Sequence, residues 1–147
     1  MVRSISLLLV WLGMSSSTFA IAELPTVSLN AGIHVIRAEV ANTFESRARG
    51  LMFREMLGQN QGMLFVFPQV DRHCMWMKNT PLPLSVAFLD EAGGIVSISE
   101  MQPHTEDSHC AARPARFALE MSKGWFASKG LRPGTKLQGL DKASPPR

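Results

Sequence analysis

The sequence predicts a mainly β protein, a compact β-sandwich or barrel-like domain of six to eight short strands with two short helices. Short apolar runs recur along the chain, and turns that contain Gly or Pro separate them. No long helical pattern alternates with these runs, so a parallel sheet with crossover helices is not indicated. The chain has 147 residues, a length that indicates one domain.

The first 22 residues have the pattern of a secretory signal peptide. Arg3 supplies a positive charge, residues 5–14 form an apolar run too short to span a bilayer, and Ala20-Ile21-Ala22 is a small-x-small cleavage site. We expect cleavage after Ala22, with an uncleaved N-terminal anchor as the alternative. The rest is expected to be one β-rich domain over residues 23–140 and a disordered tail over residues 141–147. No membrane span is expected after cleavage, and the protein is expected to be periplasmic or secreted.

Charge and cysteine content narrow the class of protein. Among 15 basic and 12 acidic residues only Arg3 lies in the signal segment, so the exported chain has a net charge of about +2. That balance does not indicate binding to nucleic acid. Cys74 and Cys110 form an even pair in an exported chain, which predicts a disulfide.

The first elements are predicted from alternation and capping residues. Residues 33–40, "IHVIRAEV", alternate as a strand does, after a lead-in over residues 24–30. Thr43 is an expected N-cap, and Gly50 is expected to end the short helix that follows. Phe44, Ala48 and Leu51 would form one apolar stripe along that helix.

Strands dominate the predicted elements after this helix. A buried strand over residues 63–67 is expected to end at Pro68, and a hairpin is expected from strands 84–90 and 95–102. Residues 103–114 read as a polar loop, and residues 115–121 as another strand. Ser122 is an expected cap for a second short helix, and a last strand is expected within residues 131–140.

The stretch "VDRHCMWMKNT", residues 70–80, contains soft side chains that could hold copper or zinc. Strand alternation places His73, Met75 and Met77 on one face, with Cys74 on the opposite face. Met residues in such domains are mostly core residues. We therefore expect no metal and no cofactor, and we keep His73, Met75 and Met77 as the alternative metal ligands.

Ligand binding is the preferred interpretation of the end of this stretch. Trp76 and Lys78 share a strand face, Asn79 follows them, and Arg47 and Arg54 lie in or after the first helix. An aromatic wall beside cationic and amide donors suits an anionic or polar ligand. The competing interpretation is structural, with Trp76 in the core and Asn79 in a turn.

The chain also resembles an uncharacterised family, domain of unknown function 192. The blocks that carry the resemblance are "GLMFRE" (50–55), "GMLFVF" (62–67), "MWMKNT" (75–80), "PLSVAFLD" (83–90) and the closing "GW…KGLRPGTKL" (124–137). The resemblance implies a compact β-rich domain, often exported or membrane-attached in bacteria, with no established activity. Ser85 replaces an acid that is usual in the family. The positions most typical of the family are Arg47, Gly50, Leu51, Met52, Arg54, Trp76, Met77, Lys78, Asn79, Thr80 and Asp90.

Three functions remain open from the sequence. The preferred one is a non-catalytic binding or accessory protein for a small anionic or polar ligand, or for an envelope protein, at Arg47, Arg54, Trp76, Lys78 and Asn79. The first alternative is a periplasmic copper- or zinc-binding protein. The second is an enzyme of unknown class, which the sequence favours less because no catalytic motif appears in it.

Overall fold

A computed structural model describes residues 23–147; the predicted signal peptide over residues 1–22 lies outside the described residues. The described part forms eight strands, two short α-helices and one 3₁₀ turn, which confirms the predicted mainly β class. In chain order the elements are β1 (Thr26–Ala31), β2 (His34–Ala41), α1 (Phe44–Arg49), β3 (Gln61–Asp71), β4 (Cys74–Met75), β5 (Leu84–Leu89), β6 (Ile95–Met101), β7 (His109–Cys110), β8 (Ala115–Ser122), α2 (Trp125–Ser128) and the 3₁₀ turn (Leu140–Lys142).

Six strands form one sheet in the order β1-β2-β3-β8-β5-β6. The β2–β3 pair is parallel, because α1 and the segment after it carry the chain back between them, and the other pairs in this sheet are antiparallel. Strands β4 and β7 form a separate two-stranded sheet. Strand β8 therefore lies in the interior of the large sheet, with neighbours on both sides.

Both faces of the large sheet are covered. On one face Leu64 and Leu119 pack with Trp125 and Phe126 of α2. On the opposite face Phe65 and Phe88 pack with Leu51, which follows α1, and with Met77, which follows β4. A strand covered on both faces is expected to be apolar throughout, so any polar side chain on an inner strand of this sheet needs an explanation.

The start of α1 confirms the predicted cap. The Thr43 hydroxyl accepts a hydrogen bond from the Ser46 N–H at 3.1 Å, and the Ser46 hydroxyl accepts one from the Thr43 N–H at 3.0 Å. The helix ends at Gly50 as predicted. The predicted apolar stripe is wrong at Phe44, which is 73% exposed, and no residue of α1 is buried. Such a short helix has no packing face of its own, and Leu51 supplies the buried contact after it.

Two other predictions in this half of the chain are wrong. Residues 26–31, expected to be part of a lead-in, form strand β1 against β2. Strand β3 does not end at Pro68 but continues to Asp71. The pairing of β3 with β2 stops at Phe65, and the register of β3 with β8 shifts between Val66 and Asp71. Pro68 therefore lies where the sheet requires no hydrogen bond from a backbone N–H, which proline lacks.

In the second half of the chain the predicted hairpin and strand β8 are confirmed, and three predicted details are wrong. Residues 109–110, expected in a loop, form β7. Gly124, not Ser122, precedes α2, because Ser122 is still paired with Leu84 in the sheet. The expected last strand is replaced by two isolated bridges, Asn30 with Gln138 and Gly94 with Lys136. The tail returns to the start of α1, where the Arg147 N–H donates to the Asn42 carbonyl at 2.7 Å.

The predicted disulfide is confirmed. Cys74 and Cys110 are directly opposite each other in the β4–β7 pair and are joined through their sulfur atoms. Hydrogen bonds on both sides extend this connection: the Ala111 N–H donates to the His73 carbonyl and the Met77 N–H to the Thr105 carbonyl, each at 2.9 Å. The disulfide therefore joins the segment that carries Trp76 and Lys78 to the 103–112 loop.

None of the helices in residues 23–147 is long and apolar enough to cross a membrane.

Candidate functional site

An inner strand of the large sheet carries a buried carboxyl group. Glu120 of β8 is 3% exposed and is paired with Met63 of β3 and Val86 of β5. Among residues 23–147 no protein group hydrogen-bonds to its side chain. Burial raises its pKa from 4.5 to about 8 because desolvation disfavours the charged form. Glu120 is therefore mostly neutral at pH 7.

Glu120 lines a small cleft between the end of α1 and the segment after β4. The cleft has a volume of about 30 Å³, enough for one or two water molecules. No polar side-chain atom in the described part is fully enclosed without a partner, so the Glu120 carboxyl oxygens obtain contact with solvent through this cleft. The lining also includes Arg47, Gly50, Leu51, Phe65, Met75, Trp76, Lys78 and Thr80.

Arg47 is held at the cleft by main-chain acceptors. Its Nη1 donates to the Asn42 carbonyl at 2.6 Å and to the Val66 carbonyl at 3.1 Å. These two bonds use both hydrogens of Nη1 and fix the plane of the guanidinium. Within residues 23–147 its Nε and Nη2 have no acceptor, and no ion pair joins Arg47 to Glu120. A group bound between these two side chains could therefore contact both.

Trp76 and Lys78 form the outer part of the cleft. The Lys78 Nζ lies 5.3 Å from the centroid of the Trp76 ring and 3.9 Å from a Glu106 carboxylate oxygen. Trp76 is 47% exposed, which argues against the interpretation of Trp76 as a core residue. The Lys78–Glu106 pair is exposed and long, so it contributes little stability. Lys78 can exchange Glu106 for another anion at low cost.

Arg54 lies apart from this cleft. Its Nη2 donates to a Glu39 carboxylate oxygen at 2.5 Å. It lines a second, wider groove of about 770 Å³ with Arg37, Glu39, Thr43, Glu45 and Gln61. Arg49 and Gly50 line both the cleft and the groove. Of the five residues predicted to bind ligand, the structure brings together Arg47, Trp76 and Lys78, and it places Arg54 in the neighbouring groove.

Asn79 occupies a turn beside the cleft rather than its lining. Its backbone is left-handed, with φ of 53°, a conformation that Asn tolerates better than most residues. Its carbonyl accepts a hydrogen bond from the Phe53 N–H at 2.8 Å, and its amide lies 4.0 Å from the Met52 sulfur. Asn79 thus connects the segment after α1 to the segment after β4, and this connection positions the two walls of the cleft.

The three alternative metal ligands have structural partners. His73 stacks on Phe67 with ring centroids 3.7 Å apart. Met77 is fully buried, and Met75 packs against the same core. In residues 23–147 no group of three or more His, Cys, Asp or Glu side chains could hold a metal ion. The geometry around these three residues is that of packing.

Ser85, where the resemblance implies an acid, lies beside a carboxylate of the neighbouring strand. The Ser85 hydroxyl is 2.8 Å from both carboxylate oxygens of Glu100, its cross-strand partner, and it accepts a hydrogen bond from the Gly124 N–H at 2.8 Å. Glu100 also accepts from the Gly124 N–H at 3.3 Å. A carboxylate is thus present beside position 85 and is supplied from the neighbouring strand.

These observations define the class of protein: a mainly β domain with a buried carboxyl group beneath a cleft that arginine side chains flank. The model of the DUF192 family, described as uncharacterized ACR, matches residues 26–139. The chain belongs to this family.

Two solved structures are similar to the chain. One is a protein of Sinorhizobium meliloti named as a candidate transcription regulator, with 31% identity, a TM-score of 0.78 and coverage of 82% of this chain and 98% of that one. The other is a protein of unknown function from Novosphingobium aromaticivorans, with 32% identity, a TM-score of 0.72 and coverage of 86% of this chain and 99% of that one. No curated protein matches the chain.

Proposed function

We propose that this chain is a non-catalytic binding protein for a small anionic group, which it takes into the cleft lined by Arg47, Trp76, Lys78 and Glu120. One observation carries the proposal: a guanidinium with donors unused by residues 23–147 and a buried carboxyl group without a hydrogen-bond partner among those residues line the same cleft. Buried polar groups are nearly always hydrogen-bonded. The missing partner of these groups is then a water molecule or the polar group of a ligand.

The charges of the cleft favour an anion. Arg47, Arg49 and Lys78 are cationic, and Glu120 is mostly neutral at pH 7 because its pKa is about 8. A neutral carboxyl group can donate a hydrogen bond to an anionic oxygen. Hydrogen bonds with an ionised partner are roughly twice as strong as neutral ones.

The test is titration of the purified chain with a panel of small anions, followed through the Trp76 indole N–H signal by NMR. We expect at least one anion to shift that signal saturably. Lys78→Ala should weaken its binding by about three- to tenfold, since an exposed charge contributes about 1 kcal/mol. The matched control is Lys136→Ala, an exposed lysine that does not line the cleft. Equal weakening by both variants, or no saturable shift with any anion, would contradict the proposal.

The charge of this chain does not support extending to it the name of the Sinorhizobium meliloti protein, a candidate transcription regulator. With 15 basic and 12 acidic residues the formal net charge is +3. Proteins that bind the phosphate backbone concentrate many cations on one surface. Arg54 in the groove is paired with Glu39, and Lys78 in the cleft lies near Glu106, so both cations have acidic neighbours.

We further propose that the chain is exported and acts in the periplasm or outside the cell. The support is the disulfide, because such bonds persist in oxidising compartments. Alkylation of the protein in its native cell fraction, without reduction, should leave its mass unchanged, and alkylation after reduction should block two thiols. Two blocked thiols without reduction would contradict this placement.

A further inference from the structure

The size of the cleft limits which anionic group can reach Glu120. A cleft volume of about 30 Å³ holds only one or two water molecules. A planar carboxylate can enter such a space edge first, whereas a tetrahedral phosphate or sulfate needs more room. The remainder of any ligand must lie outside the cleft.

Arg47 and Glu120 both line the cleft and can both donate hydrogen bonds to a carboxylate. Arg47 has a fixed guanidinium plane with Nε and Nη2 unused by residues 23–147, and adjacent guanidinium donors bind carboxylates in a planar fork. Glu120, when protonated, donates a single hydrogen bond. A carboxylate between them would satisfy both side chains, which no hydrogen bond or ion pair joins within residues 23–147.

Two exposed aromatic side chains accompany Lys78 on the outer side of the cleft. Trp76 is 47% exposed and lines the mouth, and Phe53 is 68% exposed. Phe53 has a left-handed backbone, with φ of 63°, held by its hydrogen bond to the Asn79 carbonyl at 2.8 Å. That conformation is costly for a bulky residue and persists only where the surroundings impose it. The fold thus holds an exposed ring on a segment tied to the one that carries Trp76.

We infer that the ligand is a carboxylate attached to an apolar body, with the carboxylate between Arg47 and Glu120 and the apolar body against Trp76. This inference rests on the proposed anion-binding function and specifies the class of anion. Two sources share this chemistry, namely a free aliphatic or aromatic acid and the C-terminus of a polypeptide that ends in an apolar residue.

Binding of a carboxylate beside Glu120 should weaken as the pH rises. Glu120 can donate a hydrogen bond only while protonated, and its pKa is about 8. The charged groups that face it are Arg47 and Arg49 from α1 and Lys78 after β4, all cationic. In its own sheet Glu39 lies two strands away in the same row and is paired with Arg54. Glu120 is therefore the group expected to lose its proton as the pH rises through 8.

The experiment compares the dissociation constants of hexanoate, phenylacetate, hexylamine and inorganic phosphate for the intact chain. We expect the two carboxylates to bind at least tenfold more tightly than the other two probes. The dissociation constants of hexanoate and phenylacetate should rise about tenfold for each pH unit above 8. Glu120→Gln should remove this pH dependence, because an amide donates at every pH, and Glu120→Leu should weaken binding by at least tenfold.

Two further probes identify the source of the carboxylate. A short peptide that ends in leucine is compared with the same peptide carrying a C-terminal amide. Tighter binding of the free-acid peptide than of hexanoate supports a polypeptide C-terminus, and the reverse order supports a free acid.

The outcomes separate this inference from the proposed function. If phosphate binds as tightly as hexanoate, or if hexanoate binding has the same pH dependence in Glu120→Gln and wild type, the carboxylate assignment is overturned and the anion site remains. If none of the anions binds at the cleft, both the assignment and the proposed function are overturned.

Discussion

At pH 8 the Glu120→Gln variant is expected to be more stable than the wild type by about 4 kcal/mol. Glutamine has nearly the shape of glutamate and carries no ionisable group. In the wild type, burial raises the pKa of Glu120 from 4.5 to about 8. At pH 8 the unfolded wild-type chain has released this proton, so the folded protein must bind it again, which lowers the free energy of unfolding. The variant has no such proton and avoids this loss.

The direction of this effect follows from proton counting. Between pH 4.5 and about 8 the folded protein holds a proton on Glu120 that the unfolded chain has lost. The free energy of unfolding therefore falls as the pH rises, by about 1.4 kcal/mol per pH unit. The decrease ends near pH 8, where the folded protein loses the same proton. Below pH 4.5 both states hold it, so the two proteins should differ only by the small effect of the substitution on packing.

Urea unfolding of both proteins at several pH values between 4.5 and 9 measures this difference. The matched control is Glu91→Gln, which removes the same charge from an exposed position. Its stability should follow that of the wild type across the range. Parallel curves for Glu120→Gln and wild type would show that Glu120 titrates at its ordinary value, and would contradict the account of the buried carboxyl group.

Loss of the disulfide is expected to lower the free energy of unfolding by about 3.8 kcal/mol. Cys74 and Cys110 are 36 positions apart, and the bond restricts the unfolded chain over that whole loop. For a domain of this size the melting temperature should fall by roughly 10 to 20 °C. The domain should still fold, because its two main core clusters lie on the faces of the six-stranded sheet.

The measurement compares the wild type, the wild type under a dithiol reductant, and the Cys74→Ala/Cys110→Ala double variant. We expect the last two to have similar melting temperatures, well below the first. The single variant Cys74→Ala is a control that leaves one free thiol and should resemble the double variant. Melting temperatures that agree within 2 °C for all forms would mean that the disulfide does not constrain the unfolded chain in the way described.

Local sequence signals predicted the parts of the fold that local interactions determine. Helix α1 begins after Thr43 and ends at Gly50 as expected, because capping depends on neighbouring residues alone. The β5–β6 hairpin was predicted within one residue at each end. Cys74 and Cys110 could be paired because the sequence contains two cysteines and an expected export signal. Strand β1 and the extension of β3 past Pro68 were missed because both depend on partners distant in the sequence.

Glu120 was missed for a similar reason. In "ARFALEM" the alternation of Phe117, Leu119 and Met121 with polar or small residues is typical of a strand with one exposed face. The structure makes β8 an inner strand and covers the face of Glu120 with Leu51, Met77 and their neighbours. Only the tertiary arrangement shows that this carboxyl group is buried. No signal in β8 itself distinguishes it from a surface glutamate.

The predicted ligand residues have different roles once the packing is known. Trp76 and Lys78, expected to share a strand face, follow the end of β4 and line one cleft together with Arg47. Asn79 and Arg54 are instead engaged with other parts of the protein: the Asn79 carbonyl accepts a hydrogen bond from the Phe53 N–H, and Arg54 pairs with Glu39. Residue type identified donors suited to an anion, but it could not show which donors were already used by the protein.

The most direct test of the account is an NMR titration of the Glu120 side-chain carboxyl carbon in protein labelled with ¹³C-glutamate, with Glu120→Gln used to assign the signal. We expect a midpoint at about pH 8, which should move higher when hexanoate is present because the ligand binds the protonated form. A midpoint near 4.5 would contradict the account of a buried neutral acid at the cleft. A midpoint near 8 that hexanoate leaves unchanged would contradict its role in binding the carboxylate.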